Sequence, residues 1–260
     1  MNIEFYKYQG TGNDFVILDN RNGQYSTLTQ EQIAHICHRR FGIGADGLML
    51  LQDREGYDFE MIYYNADGAP GSMCGNGGRC LVRFAADMGI IKYSYHFIAT
   101  DGEHEAEIDN NNRIRLKMQD VSSVEMHPTH AILNTGSPHY VKFSSEVESI
   151  DVVAEGRAIR HSERFAAQGI NVNFVEGRGQ DSIFVRTYER GVEDETLSCG
   201  TGVTAASLMS AHNERGFNHV EVLTPGGILS VEFNKQSPRE FNNIWLCGPA
   251  TFVYKGQIAV

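Results

Sequence analysis

One short pattern occurs twice in this chain at a wide fixed spacing, and a fold built from two matched halves is the simplest way to account for it. Ser72-Met73-Cys74-Gly75-Asn76-Gly77-Gly78-Arg79-Cys80 sets a cysteine in a glycine-rich turn ahead of Leu81, Val82, Phe84, Ala85 and Met88. Ser198-Cys199-Gly200-Thr201-Gly202 precedes Val203, Ala205, Ala206, Leu208 and Met209, with Cys199 125 positions after Cys74 (199 − 74). Each reads as the start of an apolar helix, the first stopping at Gly89 and the second by Gly216. Other features repeat in the same order. Asn13 to Leu18 is matched by Pro138 to Phe143, Gly42 to Leu51 by Gly169 to Val175, and Phe59 to Tyr64 by Ile183 to Tyr188. Thr100-Asp101-Gly102 is matched by the turn at Thr224-Pro225-Gly226-Gly227. The shared order predicts an α+β fold of two pseudo-symmetric domains from an internal duplication, facing each other across a cleft that holds the active site. Periodicity fades from Asp120 to His130, which places the boundary there.

Composition narrows the function classes. Hydrophobic residues make up 41% and aromatic residues 10% of the 260, enough for a folded core. A formal charge of −11 offers neither a phosphate-binding face nor a polybasic stripe, so nucleic-acid and membrane partners are not expected. No apolar run approaches a membrane span, and Met1 to Gly10 lacks a signal-peptide pattern. The five cysteines are an odd set, pointing to reduced thiols in the cytoplasm rather than a disulfide framework.

The thiols carry the chemistry. The orphan N–H groups of a helix start favour negative charge, so a cysteine held there ionises more readily than a free one. With one cysteine as thiolate and the other as thiol, a proton can leave one face of a carbon and another arrive on the opposite face. The two helix starts would hold a carboxylate and the enolate-like charge that develops beside it. A racemase or epimerase follows, with no cofactor and no metal required. Cys37, Cys80 and Cys247 read as core residues. No Cys-x-x-Cys pair supports zinc, and a single cysteine nucleophile with His139 as base leaves the second glycine-flanked cysteine unexplained. Gly42, Gly44 and Gly47 fit the glycine spacing of a dinucleotide fingerprint, but a helix precedes them and a strand follows, the reverse of what that site needs. A thiol–disulfide exchange protein is the rival from another class. Glu189 and Arg190 could take up an ammonium and a carboxylate, and Asn13, Asn65 and Asn171 at strand–turn junctions would add neutral donors and acceptors.

With these residues in view, the chain resembles the diaminopimelate epimerase family. The resemblance rests on Gly12-Asn13-Asp14-Phe15, Gly42-Ile43-Gly44, Asn65-Ala66-Asp67-Gly68, Cys74-Gly75-Asn76-Gly77, Pro138-His139, Asn171-Val172, Tyr188-Glu189-Arg190-Gly191 and Cys199-Gly200-Thr201-Gly202, which run in the family's order. It implies interconversion of LL- and meso-diaminopimelate, in lysine and peptidoglycan-precursor biosynthesis, with Cys74 and Cys199 as the paired bases. Gly75, Asn76, Gly200 and Thr201 would cradle the α-carboxylate. Asn13, Asn65, Asn171, Glu189 and Arg190 would hold the rest of the substrate, with Arg190 on the distal carboxylate, while His139 and Glu189 tune the thiols. Each domain would be an antiparallel barrel-like sheet around a central helix, 1–120 with 250–260 and 121–249, and a homodimer is compatible with the resemblance. A proline or hydroxyproline racemase is the alternative within the same architecture. Some family members carry glutamine where Gly47 stands and asparagine where Ser137 stands, and the Glu189–Cys199 segment is one residue longer than in some relatives, through Val192-Glu193-Asp194. These departures bear on recognition of the distal end.

Overall fold

The computed structural model describes all residues 1–260 and divides into two compact units, Met1–Leu116 with Gly248–Val260, and Lys117–Cys247. The first runs β1 (Asn2–Gly10), β2 (Asn13–Asp19), α1 (Gln30–Cys37), β3 (Gly47–Gln52), β4 (Glu60–Asn65), α2 (Gly75–Asp87), β5 (Ser94–Ala99), β6 (Gly102–Ile108) and β7 (Ile114–Lys117). The second runs β8 (Val124–Met126), β9 (Ala131–Asn134), β10 (Pro138–Phe143), α3 (Val152–Arg160), β11 (Asn171–Gly177), β12 (Ser182–Glu189), β13 (Asp194–Thr196), α4 (Gly200–Met209), β14 (Gly216–Thr224), β15 (Gly227–Ser237) and β16 (Glu240–Gly248). Finally β17 (Thr251–Ala259) pairs antiparallel with β1 and so belongs to the first unit.

The duplication is explicit in the strand pairing. β2 and β3 run parallel with α1 between them, as β10 and β11 do with α3. β3–β4 and β11–β12 are antiparallel hairpins. β4–β5 and β12–β14 are parallel again, with α2 and α4 as the intervening helices. Antiparallel β5–β6–β7 and β14–β15–β16 complete the two series. Parallel neighbours need a crossover, so a mainly antiparallel sheet turns parallel wherever a helix intervenes.

Each unit buries one helix deeply. Residues Gly75 to Leu81 of α2 are all buried, as are Gly200 and Gly202 to Leu208 of α4. Glycine permits this depth, because a Cβ on Gly77 would come within 3.3 Å of Met49 Sδ, and one on Gly202 within 2.3 Å of Asn173 Oδ1. The helix α1 covers another part of the first unit, packing Ile33, Ile36 and Cys37 with Val16, Leu18, Leu48 and Leu50. In the second unit Val152 of α3 packs with Val172, Phe174 and Tyr188. Strand β11 therefore alternates, with Val172 and Phe174 facing α3 and Asn171 and Asn173 on the other face.

The ends of α1 and α4 have local causes. Thr29 begins α1 with a reciprocal capping box to Gln32, and the helix stops at Cys37. His38 turns extended and its Nδ1 accepts from the N–H groups of Arg40 and Phe41. Helix α4 ends at Met209, the last apolar residue of its pattern and before Gly216, whose φ of +86° starts strand β14. The hydroxyls of Thr204, Ser207 and Ser210 each donate to the carbonyl four residues back, a habit that weakens a helix end.

Candidate active site

In the first unit Cys74 is the N-cap of α2 in extended conformation, and its sulfur makes no capping bond to the helix. No acidic residue stands in the first turn, so nothing on α2 itself offsets the positive end of its dipole. Cys74 is partly exposed, and its Sγ lies 3.7 Å from Asn13 Oδ1. Asn76 Nδ2 donates to the same oxygen at 3.3 Å. The Asn13 amide is oriented from behind, because its Nδ2 donates to Asp46, an acceptor-only carboxylate. Arg39 in turn bridges Asp46 and Asp14, and Lys7, almost wholly buried, pairs with Asp14. Half-burial opposes ionisation of Asp14, but hydrogen bonds from Arg39 and Lys7 outweigh it and lower its pKa to about 2.

Beneath this turn lies Arg79, fully buried on α2. Its guanidinium donates to Gly75 O at 3.3 Å, Asn76 Oδ1 at 3.0 Å and Thr11 Oγ1 at 3.2 Å. It ties the β1–β2 turn to the first turn of α2 and fixes which way the Asn76 amide faces. Asn65 ends β4 at an exposed turn, where its backbone N–H bonds Ala69 O. Position 47 is not an empty slot where a glutamine could stand. A Cβ there would come within 2.5 Å of the Tyr63 ring, which also covers Gly71.

In the second unit Cys199 is the N-cap of α4, again extended, without a capping bond and without an acidic residue in the first turn. It is 8% exposed, so burial alone does not separate it from core cysteines; its polar neighbours do. Its Sγ is 3.5 Å from Thr201 Oγ1, which is 2.9 Å from His139 Nε2. Ser137 Oγ lies 3.0 Å from the same nitrogen and accepts from Asn171 Nδ2 at 2.9 Å. The rest of the Asn171 amide is also engaged, with Nδ2 on Pro138 O and Oδ1 taking the Arg190 N–H at 2.9 Å. His139 is completely buried, and desolvation, aided by the Arg190 charge, lowers its pKa to about 3.

Glu189 and Arg190 leave β12 at its hairpin with β13. Thr196 Oγ1 donates to Glu189 at 2.9 Å, and Arg190 reaches Gln168 O at 3.0 Å. The turn between β12 and β13 holds Glu193 at φ +59°, and its carboxylate accepts from Gly191 N, Tyr188 Oη and Arg160 Nε. Cys37, Cys80 and Cys247 are buried, and burial raises the Cys37 and Cys80 thiols to about 12. None of the five cysteines is in a disulfide.

Arg79, Asp46 and Asn173, whose Nδ2 lies 3.1 Å from His139 Nδ1, are among the network residues that were not candidates from the sequence. The signal for the first is an arginine set among Gly77, Gly78, Cys80 and Leu81 at the start of α2, in its buried part. The alternation Asn171-Val172-Asn173-Phe174 was the signal for the last, since residues two apart on a strand share a face. Asp46 carried none, because only the fold brings it to Asn13.

Comparison with known proteins fits these two matched units. The family model described as diaminopimelate epimerase matches residues 5–124 and 131–253. The chain is 48% identical over 257 residues to a protein named diaminopimelate epimerase from Flavobacterium psychrophilum, covering 98% of this chain and 100% of the relative. It is 44% identical to one of the same name from Chlorobaculum tepidum, covering 96% of this chain and 99% of the relative. Among solved structures, a phenazine biosynthesis protein of the PhzF family from Bacillus anthracis superposes with a TM-score of 0.73 at 14% identity, covering 100% of both chains. A hydroxyproline epimerase from Agrobacterium vitis superposes at 0.69 with 13% identity, covering 100% of this chain and 93% of the other; both likenesses show the fold alone. The chain belongs to the diaminopimelate epimerase family.

Proposed function

We propose that this protein is a cofactor-independent epimerase that interconverts LL- and meso-diaminopimelate, with Cys74 and Cys199 as the two bases. The observation that carries the reading is the matched pair of uncapped helix starts, each led by a cysteine whose sulfur lies within reach of polar side chains. The named relatives supply the substrate class.

One sulfur, as thiolate, takes the α-proton, and the other, as thiol, delivers a proton to the opposite face. The electron pair left by the broken C–H bond delocalises into the α-carboxylate. N–H groups at Gly75, Asn76, Gly200 and Thr201, at the positive ends of α2 and α4, stabilise that charge. Each turnover leaves the thiol and thiolate exchanged. Asn13 and Asn65 take substrate polar groups, Arg190 takes the distal carboxylate, and Glu189 takes the ammonium. Asn171 acts by holding Ser137 and the Arg190 backbone, its amide being committed to both. The units Met1–Leu116 with Gly248–Val260 and Lys117–Cys247 are taken as the two epimerase halves. The reading also puts the enzyme in the cytoplasm as a homodimer; a sedimentation mass of one chain would refute the dimer.

The test is incubation of LL-diaminopimelate with purified protein in deuterated water without pyridoxal phosphate. The meso form carrying deuterium at the inverted carbon is expected. No turnover of diaminopimelate, or turnover of proline or hydroxyproline instead, would overturn the substrate assignment.

A further inference from the structure

The Asn173 amide bears on a group whose proton the reaction scheme leaves open. Its Nδ2 lies 3.1 Å from the Tyr140 carbonyl oxygen, which can only accept, so this atom is the amide nitrogen. The same nitrogen lies 3.1 Å from His139 Nδ1. On the other side, Thr187 Oγ1 donates to Asn173 Oδ1 at 3.0 Å. The amide therefore cannot be flipped without facing oxygen against oxygen at Tyr140. Asn173 and His139 are fully buried and Thr187 nearly so. Gly202 makes the geometry possible, because any Cβ there would occupy the place of Asn173 Oδ1.

We propose that Asn173 is a positioning residue that holds His139 neutral, with its one ring proton on Nε2 and directed at the hydroxyl groups beside Cys199. An imidazole nitrogen that accepts carries no proton, so the Asn173 contact fixes Nδ1 as the bare nitrogen. The proton on Nε2 then reaches Thr201 Oγ1 at 2.9 Å and Ser137 Oγ at 3.0 Å. Having accepted it, Thr201 is free to direct its own hydrogen to Cys199 Sγ, 3.5 Å away. An imidazolium would set a second N–H against the Asn173 NH2 group in the buried interior. Neither ring nitrogen is hydrogen-bonded to a carboxylate, and the charge that bears on the ring is Arg190, of the same sign. His139 thus acts as a fixed donor, and not as a shuttle that gains and loses a proton. Its value to catalysis, a hydroxyl donor for the Cys199 thiolate, rests on the epimerase reading; its tautomer does not.

The experiment is nitrogen NMR of the full chain labelled with 15N-histidine, with the His139 signal assigned by its loss in His139→Gln. The expected result is a protonated Nε2 and a bare Nδ1 that do not titrate between about pH 5 and 8, where an unperturbed histidine would. A proton on Nδ1, or an imidazolium forming in that range, would overturn the proposal whether or not the protein proves to be an epimerase. Asn173→Asp supplies a second arm, since a carboxylate at that position accepts a proton from Nδ1 and favours the charged ring. It is expected to add an ionisation to the pH profile of kcat/KM and to lower kcat by about tenfold, the weight of one misdirected hydrogen bond. A profile unchanged in shape, with only a uniform loss of activity, would mean that Asn173 is merely structural.

Discussion

Arg79→Met removes the guanidinium beneath the first turn of α2 while keeping most of the side-chain stem. Arginine 79 is fully buried and donates to Gly75 O, Thr11 Oγ1 and Asn76 Oδ1 at 3.0–3.3 Å, with a longer contact to Pro249 O at 3.5 Å. Hydrogen bonds from a charged donor contribute about 1.5–3 kcal/mol each, and an acceptor left buried without a partner costs about 1–3 kcal/mol. Relief from holding a charge out of water offsets part of that loss. Over three good bonds the net destabilisation is about 3–5 kcal/mol, a large part of the roughly 5–15 kcal/mol that holds a domain folded. At about 2–4 °C per kcal/mol for a chain of this class, Tm should fall by about 6–20 °C in a thermal melt. The Asn76 amide also loses the partner that turns its Nδ2 toward Asn13, so kcat/KM should fall more than tenfold in protein that remains folded. Arg79→Lys keeps the charge but not the planar fork, and should recover less than half of the lost stability. A methionine variant that melts within about 2 °C of the parent and turns over normally would refute the role given to Arg79, since even one lost bond should move Tm that far.

His139 makes stability depend on pH. Its folded pKa of about 3 lies below the unfolded value of about 6.5, so between them the unfolded chain binds a proton that the folded chain does not. Stability should therefore fall as pH drops through that window, by up to about 1.4 kcal/mol per pH unit, and urea melts of His139→Gln should show a shallower slope. A slope unaltered by the substitution would count against the buried neutral imidazole. Gly47→Ala should cost about 1–3 kcal/mol by overpacking, because the new Cβ would press on the Tyr63 ring and on Tyr64 O; a melting temperature equal to the parent's would show that Tyr63 moves freely. Asp46→Ala should lower kcat/KM by about tenfold, one charged hydrogen bond's worth of orientation at Asn13, and steady-state kinetics with no change would remove Asp46 from the site.

The duplication was legible because it is written in order and spacing. Gly42 to Leu51 against Gly169 to Val175 predicted the matched strands β3 and β11, and the glycine-flanked cysteines predicted both central helices. Strand β1 and helix α3 were not legible. The Asn2–Gly10 strand carries Lys7 on a buried position, where it pairs with Asp14, and α3 buries only Val152 and Gly156 fully, with Val153 and Ile159 packed against the same core from partly exposed positions, too blurred a stripe to betray its period. Gly156 is the clue in hindsight, since a Cβ there would collide with Tyr188. The candidate site divides the same way. Cys74, Cys199, Asn13 and His139 could be named from local pattern, whereas Asp46 acts across 33 positions on Asn13, a partnership that only the parallel pairing of β2 with β3 creates.

The central claim is that two thiols serve one carbon from opposite sides, and α-proton exchange in single-cysteine variants tests it most directly. Cys74→Ala and Cys199→Ala should each fail to epimerise either stereoisomer in deuterated water. In each variant the remaining thiolate can still remove and return a proton on its own face. Each variant is expected to exchange the α-hydrogen of one stereoisomer with retention, the two variants choosing opposite stereoisomers. Epimerisation by either variant, or exchange of the same stereoisomer by both, would contradict the central claim.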